Sequence, residues 1–406
     1  MTARPSPGSL LDLDEAQRRL LAMAQRLPAV DLPAEEASGR WLARDVMALR
    51  SQPPDPMSAM DGYAVRQADM PGPWNIVGES AAGHVYQGSV GAGQAVRIAT
   101  GGVVPDGADM VAVQEDCRRE GNRLYFEGEP PVPLHRHIRP RGLDFSDGQT
   151  VARAGERLTP ARLALAITAG HGILPVHEIA NVAVIESGDE LRPAGEPLPA
   201  GSIPASNGAM LGALFADIGC TVQRQGPVPD RRDALRSAFE NAGDAQMIVT
   251  SGGASVGDHD LVLPVLQEMG AKIDFWRVAI KPGKPILVAR LGKQLVIGLP
   301  GNPVSSFVTA HLFALPVVRA LMGDRSPLPA LQPAFCLADL PATGRRTEFL
   351  RCRFTDAGVM PLFLQDSAAL SPLAEADALI LRPAGSGTVA SGDIVQVMPF
   401  APRNRA

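Results

Sequence analysis

Between Asn181 and Met322, short apolar runs alternate with helix-patterned segments, and this alternation limits the possible folds most. Val182–Ile185, Thr221–Val228, Met247–Thr250, Lys272–Ile280, Ile286–Ala289 and Leu295–Gly298 read as strands. Asn207–Gly219, Asp230–Ala242, Leu261–Met269 and Pro303–Met322 read as helices. In the second helix Ala234, Leu235, Ala238 and Phe239 share one face. Such alternation builds a largely parallel sheet covered by helices, and ligands of such sheets bind outside the carboxyl ends of the strands. Three glycine-bearing turns fall at those ends: Ser251–Gly257, Lys281–Pro285 and Gly298–Ser305. Glycine lets backbone approach a ligand, and backbone N–H groups in such turns cradle anions. Lys281 and Lys284 flank a Pro-Gly turn, where an anion between the two ammonium groups would relieve their repulsion. A solvated hairpin tip is the plainer alternative. The stretch predicts a site for a phosphorylated, strongly anionic small molecule.

The flanking segments carry other patterns. Asp12 with Glu15 reads as a capping box, and Ala16, Leu20, Met23 and Leu27 line one helical face. Pro28 to Pro33 predicts a break, Glu35–Gly39 a helical turn and Trp41–Leu49 a strand. From Ser51 to about Pro140 the chain is punctuated by Gly and Pro between short apolar runs, a small all-β pattern. Thr159-Pro160 starts a helix through Leu163 and Ile167 that stops at Gly170. After a linker near Pro327, short strands return at Pro333–Leu337, Glu348–Phe354, Ala378–Pro383 and Ile394–Met398. The expected architecture is multi-domain α/β plus β. A discontinuous helical domain spans 1–50 and 140–178, with an inserted β domain at 51–139. A central α/β domain follows at 179–326, and a C-terminal β-barrel-like domain at 327–406.

Composition narrows the partners. Net charge is -5, no Lys/Arg block stands out and aromatics are 4%, so the footprint of a nucleic-acid binder is missing. The four cysteines are widely spaced, without metal-finger or disulfide-framework spacing. No signal peptide and no apolar run of membrane-spanning length is read, so a reducing cytoplasm is expected.

Several residues could carry chemistry. Ser187-Gly188-Asp189-Glu190 puts two acids at the end of the first α/β strand. Ser251, Gly252, Gly253 and Ser255 offer hydroxyls and N–H groups at another strand end. Asp258 and Asp260 follow, suited to Mg²⁺ or to capping the next helix. Pro300, Gly301, Asn302, Pro303 and Ser305 form a helix-entry turn whose N–H groups and dipole favour an anion. Asp61-Gly62 reads as a hairpin turn, and Asp144 lies in a loop with Arg136, Arg139 and Arg141 where a surface ion-pair cluster is the local expectation. The histidines show no ligand spacing.

In order along the chain stand Ser-Ala-Met-Asp-Gly-Tyr-Ala (58–64), Arg-Ile-Ala-Thr-Gly-Gly-Val-Val-Pro-Asp-Gly-Ala-Asp (97–109) and Ser-Gly-Asp-Glu-Leu (187–191). They are followed by Ser-Gly-Gly-Ala-Ser-Val-Gly (251–257), Lys-Pro-Gly-Lys-Pro (281–285) and Gly-Leu-Pro-Gly-Asn-Pro-Val-Ser (298–305). Together they resemble the MoeA-type molybdopterin molybdenumtransferases, relatives of the gephyrin E domain. The resemblance implies a MogA-like central domain and a homodimer whose active site lies at the subunit interface. It implies Mg²⁺-dependent insertion of molybdate into adenylylated molybdopterin with release of AMP. By motif, Asp61, Asp144, Glu190, Asp230, Asp260, Lys281 and Lys284 would be catalytic, with Glu190 and Asp260 as Mg²⁺ ligands. Ser187, Gly188, Asp189, Ser251, Gly252, Gly253, Ser255, Pro300, Gly301, Asn302, Pro303 and Ser305 would bind substrate. Other molybdenum cofactor biosynthesis proteins are implied as partners. The chain departs from the family at Ala205, Gly208 and Leu143, where an acid, a base and a Glu are usual. The departures at Ala205 and Gly208 imply an alternative, a molybdopterin-binding or scaffold paralogue without turnover.

Overall fold

A computed structural model describes residues 10–133, 135–252 and 261–400. Gly253, Ser255, Asp258 and Asp260 lie outside the described residues.

The central sheet is built from β1 (Asn181–Ser187), β2 (Thr221–Val228), β3 (Met247–Ser251), β4 (Lys272–Arg277), β5 (Pro285–Leu291) and β6 (Gln294–Leu299). Their spatial order is β2-β1-β3-β6-β5-β4, with the first four strands parallel and β5 and β4 added antiparallel. β1 is a mostly apolar run because both its faces are covered. Val182 and Val184 join one core cluster with Leu211, Phe215, Val308 and Phe313. Ala183 and Ile185 join the opposite one with Leu235, Phe239, Val262 and Leu266. The period of two thus divides the helices between the sheet faces. α1 (Asn207–Asp217) and the long helix from Pro303 lie on one face, α2 (Arg232–Asn241) and α3 (Val262–Glu268) on the other. Register pairs Glu186 with Ser251 and Ser251 with Leu299, so three strand ends finish level.

The expected strand Lys272–Ile280 is two strands. Leu11 donates to Arg277 O and accepts from Ala279 N, lifting the chain out of the central sheet. Ile280–Lys281 then pairs in parallel with Thr347–Glu348. It becomes the edge of the C-terminal sheet, ordered Ile280–Lys281, Thr347–Phe354, Ala378–Arg382, Ile394–Pro399, Gln332–Phe335.

The helix from Pro303 to Leu321 runs 19 residues with a mean hydropathy of 1.5, long and apolar enough to cross a membrane. This corrects the reading that no run reaches that length, but 78% of it is buried inside the protein, as a core helix would be. Pro316 has no N–H for the carbonyl of Leu312, and the helix relaxes into a π-turn at Ala310–Ala314. The side chain of buried Gln17 donates to Leu312 O at 3.0 Å instead.

Gln17 belongs to the first helix, Leu13–Met23, which packs Leu13, Ala16 and Leu20 into the same cluster as Phe313 and Val317. Asp12 caps it through Asp14 N, but Glu15 does not close a capping box; it pairs with Arg18 and Arg19. The expected break at Pro28–Pro33 is a strand, Ala29–Pro33, antiparallel to Ile173–His177. Pro33, and Pro175 on the partner strand, are tolerated because this ribbon has only two strands. Of the expected strand Trp41–Leu49 only Val46–Met47 pairs regularly, against Thr150–Ala152, with bridges at Trp41 and Leu42. The inserted sheet orders Met110–Val113, Gly62–Val65, Gln94–Ile98, Trp74–Ser80, Arg123–Phe126 and Cys117–Glu120 around Tyr63, Trp74, Met110 and Leu124.

Candidate active site

The site begins with a buried acid that sequence reasoning passed over. Glu186, 6% exposed, sits one residue before the end of β1. Its carboxylate accepts the backbone N–H of Asn207 and of Gly208, each at 2.9 Å. These are the first N–H groups of α1, whose N-cap Ser206 gives no side-chain bond. The carboxylate therefore neutralises the positive end of α1 from the neighbouring strand. A sequence signal existed, since a Glu inside an otherwise apolar buried strand needs partners.

Asn207 extends this unit. Its amide nitrogen donates to Ser251 Oγ at 2.9 Å and to Gly301 O at 2.6 Å, tying three strand-end turns together. Both its N–H donors are spent, so Oδ1 is fixed as an acceptor. Asn207 Oδ1, Ser187 Oγ and Thr250 Oγ1 are buried with no partner among the described residues. Buried polar atoms are normally paired, so this gathering at the strand ends needs a cause, and a bound molecule is a natural one. Gly252, at φ +94°, passes so near β1 that a Cβ would stand 2.5 Å from Ser187 O.

Acids gather on the adjoining turn. Asp189 and Asp230 are linked reciprocally, Asp230 N to Asp189 Oδ1 at 3.0 Å and Asp189 N to Asp230 Oδ2 at 3.4 Å. The carboxylate of Glu190 folds over Gly188, where a Cβ would meet Oε2 at 2.6 Å. Burial pushes the Asp230 carboxyl above the usual range, and the charges of Asp189 and Glu190 push it further. Like-charged acids suit a cation that also takes phosphate oxygens, which is how Mg²⁺ is usually held. Among the described residues no group of three or more His, Cys, Asp or Glu has metal-holding geometry.

The lysine turn is not a bare hairpin tip. Lys281 donates to Glu348 Oε1 of the C-terminal sheet at 3.2 Å, a partner the sequence reading missed. Lys284 is exposed. Gly283, at φ +98°, lies against the long helix, where a Cβ would meet Thr309 at 2.5 Å. The helix entry is also partly filled: Val304 N donates to Ser367 O at 3.1 Å and Asn302 Nδ2 to Ser367 Oγ at 3.0 Å. The expectation of free N–H groups at that turn is therefore corrected for Val304. Pro303 stands at the first turn, Pro300 precedes the turn glycine, and Ser305 O accepts Thr309 Oγ1 at 2.7 Å.

Asp61 and Asp144 stand elsewhere. Asp61 precedes Gly62, whose Cβ would fall 2.1 Å from Ala112 O, so the sheet requires glycine there. Asp61 Oδ1 accepts Thr100 N at 2.7 Å and Thr100 Oγ1 at 2.9 Å, and these bonds hold its carboxyl below the usual range. Asp144 is exposed, next to exposed Leu143 and anchored through its N–H to Gln52 O. Among the described residues it forms no ion pair with Arg136, Arg139 or Arg141. Every strand of the sheet that follows Asp61 comes from residues 62–126, separate from the central sheet.

An α/β domain with level strand ends, an acidic turn and a lysine turn, joined to two β sheets, defines a multi-domain α/β plus β protein. The chain belongs to the MoeA family. Residues 11–170 match the MoeA N-terminal region (domain I and II), 183–320 the probable molybdopterin binding domain and 333–400 the MoeA C-terminal region (domain IV). A molybdopterin molybdenumtransferase of Haemophilus influenzae is 32% identical over 404 residues, covering 96% of this chain and 99% of that protein. One of Bacillus subtilis is 30% identical over 408 residues, covering 97% and 95%. The molybdopterin biosynthesis moeA protein of Pyrococcus horikoshii OT3 superposes with a TM-score of 0.83 at 26% identity, covering 97% of this chain and all of that one.

Proposed function

We propose that this chain is a molybdopterin molybdenumtransferase that inserts molybdate into adenylylated molybdopterin and releases AMP. The observation that carries this reading is the level edge of β1, β3 and β6. It sets Ser187–Glu190, Ser251–Gly252 and Pro300–Asn302 side by side in a chain that matches the family from end to end. Backbone N–H groups there suit phosphate oxygens, and the unpartnered acceptor of Asn207 suits the N–H edge of a pterin. Lys281 and Lys284 would hold molybdate and pyrophosphate oxygens in place. Glu190, with Asp260, would hold Mg²⁺, which supplies charge stabilisation for the phosphate oxygens. Asp230, whose carboxyl is raised, is suited to moving a proton beside the phosphate.

Asp61 and Asp144 would complete the site from a second subunit of a homodimer, in the cytoplasm, with other cofactor-biosynthesis proteins delivering substrate. The partition into 1–50 with 140–178, 51–139, 179–326 and 327–406 belongs to the same proposal. Purified protein with adenylylated molybdopterin, molybdate and Mg²⁺ should release AMP; a rate no higher than that of Lys281→Ala/Lys284→Ala would refute the reading.

One observation favours a second reading. Glu186 fills the helix end at Gly208, where the family usually places a base, which suits a protein that holds the pterin without turnover. A parent without AMP release but with molybdopterin binding would select it.

A further inference from the structure

A cavity of about 860 Å³ lies apart from the strand ends. It is lined by Trp41 with Gly155–Arg157 and Arg162, by Ile218, by the middle of the long helix, and by the linker 324–332 with Met398–Phe400. Its lining includes none of the residues proposed above for catalysis or substrate binding.

Its charge is unlike that of the whole chain. Arg157, Arg162, Arg319 and Arg325 face only two acids, Glu156 and Asp324, an excess of two positive charges in a protein of net charge -5. The acids fix the wall. Glu156 pairs with Arg325 at 2.7 Å and with Arg162 at 3.5 Å, and buried Asp324 pairs with Arg319 at 2.7 Å. Arg157 stacks over Trp41 at 5.2 Å and donates to Gly39 O. Arg162 and Arg325 keep about half their side chains exposed, 42% and 48%.

His311 belongs to the same lining and is buried, with Nδ1 unpartnered among the described residues. It lies in the π-turn, a distortion that recurs at functional sites. Pro316 explains why the helix relaxes there. It does not explain why a histidine with an unsatisfied nitrogen occupies the turn, in a cluster with the rings of Phe307 at 4.4 Å and Phe400 at 5.5 Å.

We propose that this cavity binds an aromatic phosphate monoester. The flat ring lies against the apolar side formed by Phe400 and Leu315. The dianionic phosphate faces Arg162 and Arg325, which with Arg157 and the acid Glu156 that pairs with both of them carry the excess of two positive charges. The ring of His311 lines the same cavity, so it reports occupancy. The inference is independent of the reaction proposed for the strand ends.

Phenyl phosphate titrated into the full-length protein, read through the ring resonance of His311 assigned with His311→Gln, tests it. The resonance should shift to saturation. Arg162→Gln/Arg325→Gln/Glu156→Gln, which removes the acid together with its two partners and is checked for an unchanged fold by circular dichroism, should weaken binding by about tenfold or more, while Lys281→Ala leaves it unchanged. Benzoate, a monoanion, and inorganic phosphate, without a ring, should each bind more weakly. A His311 resonance that never saturates overturns the proposal, as do binding lost in Lys281→Ala instead of the triple variant, or equal affinity for either comparison compound.

Discussion

Gly208 donates its N–H to Oε2 of Glu186 at 2.9 Å, and a Cβ on Gly208 would stand 2.6 Å from that same oxygen. A side chain at 208 therefore requires the Glu186 carboxylate to move, at the expense of its two backbone hydrogen bonds. Glu186→Ala should cost about 1–3 kcal/mol, because two buried N–H groups lose their acceptor. Gly208→Arg alone should destabilise by pressing on Glu186, and Glu186→Ser should recover part of that loss. Urea unfolding of the four-member cycle measures it; costs that add within about 0.5 kcal/mol would show the two are not coupled. An attempt to restore the family pattern with Ala205→Asp and Gly208→Arg should accordingly need Glu186→Ser as well.

If the active site is shared between subunits, Asp61→Asn and Lys281→Ala damage different halves of it. Each variant alone should lose most AMP release. Mixed dimers refolded or co-expressed from the two should regain about a quarter to half of the parental rate per dimer, because one of two sites is then intact. Equal inactivity of the mixed dimers and the single variants would place both residues in a single-subunit site.

Burial holds the His311 imidazole down to about 4, against an ordinary value of 6.5. The folded state therefore refuses a proton that the unfolded chain accepts. Stability should be full above about pH 6.5 and should fall as the pH drops toward 4, by on the order of 2 kcal/mol at pH 5. His311→Phe should flatten that part of the profile, measured as the difference in unfolding free energy between pH 7 and pH 5. An unchanged slope in the variant would assign the acid sensitivity to other groups.

Gln17→Leu keeps an apolar fit in the first helix but removes the side-chain donor to Leu312 O, so thermal unfolding should show a loss of about 1–3 kcal/mol. The double variant with Pro316→Ala should recover stability, since the substituted residue brings a backbone N–H that can close the helix onto Leu312 O. No recovery would mean that the π-turn is held by packing alone.

The central domain was legible because its signal is local. Val182–Ile185 and Met247–Thr250 are buried on both faces, and the helix of Arg232–Asn241 carries its inward face in the spacing of Leu235, Ala238 and Phe239. What escaped depends on distant partners. Ala29–Pro33 becomes a strand only because Ile173–His177 lies beside it. Lys281 and Glu348 meet across 67 positions, and Ser367 reaches back to the helix entry from a distant loop. Glu186 was readable as an oddity in its strand, but its role became visible only with α1 packed against it. Asp61 and Asp144 were singled out by motif alone, and nothing in their local sequence points toward the strand ends.

The pairing of Ile280–Lys281 with Thr347–Glu348 has a consequence for biogenesis. A ribosome makes the chain from the N-terminus, so the central sheet can close while the lysine turn still lacks its neighbour strand. That turn is seated only after some seventy further residues have emerged. A nascent chain stalled before Thr347 would carry a folded central sheet with Lys281 lacking its partner Glu348, and a premature stop there would yield a protein able to fold in its middle yet never seat that turn.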